Sequence, residues 1–452
     1  MSRHLWIAAL AFALVAVACN GDNDDQRPVD AFIPFDTFVE QVRTAAFDDF
    51  DGATDSRVRD DDAFNEMLDH VLTLYDGADV DHSFELDGQV VDCITIESQP
   101  SVRLLGIEVV DLAPPAGTTG AQPVDGDAPG DAQPALSPLT LGRIDALGNA
   151  IRCEPGTVPV GRLTLDVLVR FETLRHFFSK GGDGFGSLPA PQPERQGDEP
   201  GAGERRYAYT NQTVNNYGGN SWLNLWNPSL GADGTMSISQ QWYSADGDDG
   251  VQTLEGGWQV LPSKYNTNNA VLFIYWTADG YKNTGCYNLD CAGFVQINNN
   301  WFLGGQWSAY SSTGGTQWGF ELQWKLYQDN WWLFLKGPGA YEAVGYYPDS
   351  IYDGGPMADA ATSVLYGGET ATDGRWPEMG SGQFANQGWQ QAAFQNTIFY
   401  IPRNENNGVG VWADLIAQEP APDCYTVVLV PASNGGSWGT YFYFGGPGGS
   451  PC

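Results

Sequence analysis

The sequence predicts a mainly β protein: an antiparallel β-sandwich over residues 205–452, preceded by a small α+β domain over residues 32–180. Three observations carry this. The 452 residues include 56 Gly, 16 Trp, 20 Tyr and 22 Phe against 21 Lys and Arg together, a composition suited to short strands joined by tight turns. The chain is uneven, with fifteen of its sixteen Trp after Ser221. From Arg205 onward, short aromatic and β-branched runs alternate with Gly, Asn and Asp. Met236–Tyr243, Glu255–Leu261, Ala270–Trp276, Gly319–Leu326 and Trp331–Leu335 are examples. Strands at that spacing suit a sandwich or barrel of about 250 residues.

The amino end reads as an export signal. Residues 1–18 have a basic start at Arg3, an apolar run from Leu5 to Val17, and Ala18 before Cys19. The run is too short for a spanning helix with flanks. Ala16-Val17-Ala18-Cys19 resembles the bacterial lipobox, which implies lipidation at Cys19; an ordinary cleaved signal is the alternative. Residues 19–31 are polar and Asp-rich, a tether. The expected location is the bacterial cell envelope, with membrane attachment by the lipid anchor only, or the extracellular space.

Within 32–180, Phe64, Leu68, Val71, Leu72 and Tyr75 follow a helical repeat, and Asp60, Asp61 and Asp62 sit where a helix amino terminus favours negative charge. Runs from Phe84 to Leu112 and from Leu163 to Phe178 read as strands, with helix the alternative for the second. Residues 113–138 are a Pro/Gly/Ala/Asp-rich insert, and 181–204 are a linker of similar composition.

Six cysteines remain beyond Cys19, an even number that favours disulfides in an exported chain. Cys286 and Cys291 bracket a short loop, Cys424 can tie down Cys452, and Cys93 with Cys153 is left by elimination.

Net charge is −35, which argues against binding nucleic acid through a basic surface. All four histidines precede Arg205. The β domain therefore offers no Ser-His-Asp or Cys-His machinery and no histidine-held metal; neither metal nor other cofactor is expected. Its candidate acid and base are carboxylates. Glu255, in Thr253-Leu254-Glu255-Gly256-Gly257-Trp258, and Glu369, ending Tyr366-Gly367-Gly368-Glu369, stand out from its other glutamates. Each lies on an expected strand beside a glycine pair and a bulky aromatic. Glycine there lets a substrate backbone approach closely, and a Trp neighbour can desolvate a carboxyl. Solvated glutamates at turns are the alternative reading.

Several further segments follow in order: Arg206-Tyr207-Ala208, Ser239-Gln240-Gln241-Trp242, Glu255-Gly256-Gly257-Trp258-Gln259-Val260 and Tyr275-Trp276-Thr277-Ala278-Asp279-Gly280-Tyr281. Gly285-Cys286-Tyr287-Asn288-Leu289-Asp290-Cys291-Ala292-Gly293, Val344-Gly345-Tyr346-Tyr347-Pro348, Tyr366-Gly367-Gly368-Glu369 and Met379-Gly380-Ser381-Gly382 complete the set. Together they resemble the neprosin family of glutamic peptidases. Asp87-Gly88-Gln89-Val90-Val91-Asp92-Cys93-Ile94, with Gln99-Pro100, resembles part of that family's activation peptide. Gly256 and Ala292 depart from the family's usual Ala and Pro.

The resemblance implies a β-sandwich with a cleft, Glu255 and Glu369 as the catalytic pair, and endopeptidase action preferring bonds after proline in acid. Gln240 is the candidate to hydrogen-bond the oxyanion. Trp242, Tyr275 and Trp276 are candidates for a proline pocket, or alternatively core aromatics. The partner expected is a protein or peptide substrate, and the chain is expected to be a monomer. Residues 32–180 are expected to act as a pro-domain, with a spacer that holds the peptidase off the membrane as the alternative. A glycoside hydrolase, which also uses two carboxylates, and a non-catalytic carbohydrate- or peptide-binding module are the rival readings.

Overall fold

Helical periodicity near the amino end produces two helices, α1 (Phe35–Thr44) and α2 (Asp61–Tyr75). Asp60 caps α2, its carboxylate accepting from the Ala63 amide at 2.9 Å. The buried stripe of α2 is Phe64, Met67, Val71, Leu74 and Tyr75, while Leu68 and Leu72 are only partly buried. These helices lie against β1 (Val80–Leu86), β2 (Gln89–Thr95) and β3 (Thr157–Gly161), an antiparallel sheet in the order β1-β2-β3. The expected strand beyond Ile96 is instead helix α3 (Pro100–Leu105), started by Pro100 and stopped by left-handed Gly106. The Leu163–Phe178 segment resolves as helix: α4 (Leu165–Leu168) and α5 (Leu174–Phe178). The computed structural model describes residues 32–107, 145, 151–180, 204–403, 409–450 and 452. Cys19, the leader, the tether, the 113–138 insert and all of the linker except Glu204 lie outside the described residues.

The remaining strands are β4 (Glu204–Asn224), β5 (Gly234–Gly247), β6 (Gly250–Val260), β7 (Val271–Thr277), β8 (Val295–Gln296) and β9 (Gly319–Tyr327). They continue with β10 (Asn330–Lys336), β11 (Glu342–Pro348), β12 (Ala361–Thr372), β13 (Ala393–Pro402), β14 (Val411–Trp412), β15 (Ile416–Gln418), β16 (Thr426–Val430) and β17 (Tyr441–Gly445). The main path runs β7-β6-β5-β12-β4-β9-β10-β11-β8.

The 21-residue β4 makes two layers from this path. Its first part pairs with β12, its second with β9 and β13. Gly218, between the two parts, has φ +108, and a Cβ there would lie 2.1 Å from the Trp324 carbonyl oxygen. Only glycine fits a left-handed residue at so close a crossing. Leu254, Trp258, Leu272, Ile274 and Tyr366 of the first layer share one core with Leu322, Trp324, Trp331, Leu333 and Tyr347 of the second. This is the mainly β, sandwich-like architecture expected, with a small α+β region before it. The described residues contain three disulfides: Cys93–Cys153, Cys286–Cys291 and Cys424–Cys452. No helix among them is long and apolar enough to cross a membrane.

The described residues from Ile33 to Cys452 form one compact unit, in which the N-terminal part lies on the sandwich. Gln99 pairs with Gln296 through two hydrogen bonds, donating to its carbonyl at 2.8 Å and accepting from its amide at 2.9 Å. The Ser101 hydroxyl donates to the Phe294 carbonyl and accepts from the Gly293 amide. Phe302 enters the apolar cluster around Cys93 and Cys153. At these points two acidic bodies meet through neutral amide and apolar contacts, which avoid like-charge repulsion.

Candidate active site

Strand register brings the two glutamates to one face. Glu255 on β6 stands opposite Trp242 on β5 and Tyr275 on β7. Glu369 on β12 stands opposite Ile238 on β5 and Tyr207 on β4. Directly opposed residues share a face, and alternate residues of a strand do too. Glu255, Glu369, Gln240, Trp242 and Tyr275 therefore share the face turned away from the inter-layer core, with only β5 between the glutamates. Both glutamates are fully buried, and both turn out to be strand residues rather than solvated turn residues.

Trp276 points the other way. It lies in the inter-layer core against Tyr347 and Tyr352. The one-residue offset from Tyr275 places it on the opposite side of the sheet, away from the cleft. The second glycine after Glu255 also has a different use from the one expected. A Cβ on Gly257 would lie 2.0 Å from the Ser239 carbonyl oxygen, so the close approach is made by the neighbouring strand.

The site's central contact comes from the N-terminal part. Thr173 caps α5, accepting from the His176 amide at 3.2 Å. Phe177 lies under the Lys264 ammonium, 3.5 Å from the ring centre. The Tyr275 hydroxyl donates to the Phe178 carbonyl at 3.1 Å. After Ser179 turns extended, Lys180 enters the cleft. Its Nζ lies 2.5 Å from Glu255 Oε2 and 2.8 Å from Glu369 Oε2, 5.2 Å from the Trp242 ring centre. A single buried ammonium bridges both carboxylates.

Each glutamate has further partners. Glu255 Oε1 accepts from the Thr253 hydroxyl at 2.9 Å and the Tyr281 hydroxyl at 2.6 Å. Glu369 accepts from Gln240 Nε2 at 2.9 Å, from the Tyr207 hydroxyl at 3.4 Å and from the Arg205 guanidinium. Burial alone would raise the Glu369 carboxyl; the Lys180 and Arg205 cations outweigh it and hold the group below the ordinary carboxylate value. The Tyr281 hydroxyl is pushed well above its usual value, first by burial and then by Glu255 beside it. It therefore stays a donor. Gln240 Oε1 is buried and has no partner among the described residues.

Tyr281 has φ +63, a left-handed conformation costly for an aromatic residue. Its loop holds it there. Asp279 accepts from the amides of Lys282, Asn283 and Thr284 and from the Thr284 hydroxyl. The Tyr281 amide donates to the Thr277 hydroxyl at 3.0 Å. Sequence reading included Tyr281 in a motif without giving it a role, and missed Lys180 and Arg205. A non-glycine residue after Gly280 in a turn was the available hint for Tyr281; nothing local marks the two cations. A separate cavity of about 220 Å³, lined by Arg162, Arg170, Lys264 and Asp290 among others, contains neither glutamate nor Lys180 in its wall.

Residues 233–447 match the family model described as neprosin, a span containing both glutamates, Gln240 and Tyr281. These residues are a neprosin domain. Its two facing, buried glutamates and the family match support a glutamic peptidase. Among solved structures, a scytalido-glutamic peptidase with a peptide-based transition-state analogue is 10% identical; the alignment covers 54% of this chain and 98% of that one, with a TM-score of 0.28. SCP-B, a member of the eqolisin family in complex with the tripeptide Ala-Ile-His, is 8% identical over 54% and 98%, with a TM-score of 0.26. No residue of the neprosin domain takes its role from these distant likenesses.

Proposed function

We propose that this chain is an exported glutamic endopeptidase, made as a zymogen, that hydrolyses peptide bonds in acid, preferentially after proline. Glu255 and Glu369 are its catalytic pair. One observation carries the reading: Lys180 Nζ sits within hydrogen-bond distance of both carboxylates. A point that can hold a small tetrahedral donor between two buried carboxylates can hold a water molecule when the lysine leaves. Two carboxyls sharing such a site cannot both ionise easily, so the working pair carries one proton. The ionised partner takes a proton from the attacking water while the protonated one donates to the substrate carbonyl oxygen. That division of labour requires acid.

Latency follows from the same contact. While Lys180 bridges the pair, no water can occupy its place, and the segment around Phe178 fills the cleft beside Tyr275. Residues 32–180 are the pro-domain, and the linker between Lys180 and Arg205 is where it is cut. Trp242, facing the cleft beside Lys180, is the apolar wall offered to a proline ring. Gln240 is the oxyanion donor once Lys180 is gone. Three disulfides suit an exported chain.

The test is a digest of a proline-containing protein at acid pH, with products mapped by mass spectrometry. Peptides ending in proline are expected from the native chain, with a loss of about 100-fold or more in E255Q and E369Q. Near-native rates in either folded variant would refute the glutamate pair. Release of sugar from soluble glucans instead of peptide cleavage would favour the glycoside-hydrolase alternative.

A further inference from the structure

Two cations reach Glu369, and they differ in how they are attached. Lys180 belongs to the segment that must leave the cleft. Arg205 belongs to β4. It stands opposite Ala371, two residues along β12 from Glu369 and on the same face, and its guanidinium donates to Glu369 Oε1. The next residue fastens this strand end to the sandwich: Arg206 lies 4.3 Å from the Trp376 ring centre and donates to the Cys452 carbonyl. Arg205 lies upstream of the matched family span. Among the described residues, the ion pairs of Glu255 include Lys180 but no arginine.

We propose that Arg205 is a positioning residue of the mature enzyme: it stays on Glu369 after Lys180 departs, keeps the negative charge of the pair there, and so makes Glu369 the base and Glu255 the acid. This rests on the peptidase reading above and deepens it. Besides Lys180, the titratable groups facing Glu369 are Glu255 across β5, Arg205 and Tyr207 on β4, and Tyr281 and Tyr287 beyond β7. The tyrosines are neutral, which leaves Arg205 as the one cation in this set once Lys180 is removed.

The protons then balance. Water attacks the carbonyl carbon and gives a proton to Glu369, while Glu255 gives its own to the carbonyl oxygen, forming a gem-diol. Glu369 next passes its proton to the leaving nitrogen. The carbon–nitrogen bond breaks, one diol hydroxyl returns its proton to Glu255, and the pair is reset.

The experiment compares pH profiles of kcat/KM for the full-length chain after acid activation, as wild type, R205K and R205Q. The acid limb reports the group that must be ionised. In R205Q it should move up by about one pH unit or more, costing roughly tenfold in rate at the acid end and much less near the optimum. R205K should retain most of the native profile. A merely structural role would lower the whole curve without moving the limb.

An unmoved limb in folded R205Q, with E255Q and E369Q inactive, overturns the proposal and leaves the glutamate pair standing. Activity in those glutamate variants removes the underlying reading instead. A readout that does not depend on the variants folding is the amino terminus of the activated chain. It should lie at or before Arg205; a fully active chain beginning at Arg206 or later overturns the proposal.

Discussion

Replacing Lys180 by alanine tests the latency mechanism at its narrowest point. The lysine side chain is 4% exposed, and those of its partners Glu255 and Glu369 are 0% and 1% exposed. Removing one member of a buried ion pair costs about 3–5 kcal/mol, because the other charge is left without compensation. Here two carboxylates lose their shared cation, and they recover part of that cost by binding a proton between them. Shifting the docked state by about 3–5 kcal/mol raises the open population roughly 10²–10⁴-fold. K180A should therefore hydrolyse a fluorogenic proline peptide before any chain cleavage, at pH values where the wild type is silent, by at least about 100-fold. K180M keeps an apolar stem beside Trp242 and removes only the charge, so it should behave like K180A. Thermal unfolding establishes that each variant is folded. A folded K180A as latent as the wild type would refute the plug. The pH dependence has the same sign. The docked state holds Glu369 below its ordinary value of 4.5, so the stability this supplies is present above about pH 4.5 and lost as pH falls through the lowered value.

Three further outcomes are expected. His70 donates through Nε2–H to the Asp290 carbonyl at 2.8 Å, lies edge-on to Phe178, and is held below the usual histidine value first by burial, with nearby Lys264 adding to the effect. Its contribution to docking is thus full above about pH 6.5 and fades on acidification; H70Q, which retains a donor, should flatten release as pH falls below about 6.5, read by limited proteolysis of the 181–204 linker, and an unchanged profile would discount it. Q99A leaves the Gln296 backbone amide without the partner it has at 2.9 Å and should weaken docking by about 1–3 kcal/mol, measured as a lower denaturant midpoint for release of the N-terminal part. Y281F removes the donor held at 2.6 Å from Glu255 and should lower kcat/KM about 10–100-fold after activation, whereas unchanged kinetics would restrict Tyr281 to a structural part.

Much of this was legible along the chain. The recurrence of Phe64, Val71 and Tyr75 and the cap at Asp60 specify α2, because helix contacts fall three and four residues apart and caps act within one turn. Aromatic runs broken by Gly and Asn locate β5, β6, β7, β9 and β10 for the same local reason. Glu255 and Glu369 could be singled out because each sits in a recognisable strand motif. Parity within a strand also implied that Tyr275 and Trp276 face opposite sides, though not which side is the cleft. That choice needed the second layer, with Tyr347 and Tyr352 in place to cover Trp276. The Leu163–Phe178 run became helix because its apolar residues serve the docking surface rather than a sheet ladder.

The sequence by itself determined the strand-rich half, the helical start, the even cysteine count that favours disulfides and the pair of glutamates that can do acid–base work. Only the tertiary structure decided that Lys180 closes that pair and that Arg205 leans on one member of it. Lys180 lies 75 positions from Glu255, and Arg205 lies 164 from Glu369. A cap or an amphipathic stripe is written in neighbouring residues, whereas a buried ion pair is set by which strands align and at what register. That alignment follows from the whole core, including the crossing at Gly218, and leaves no mark beside either cation.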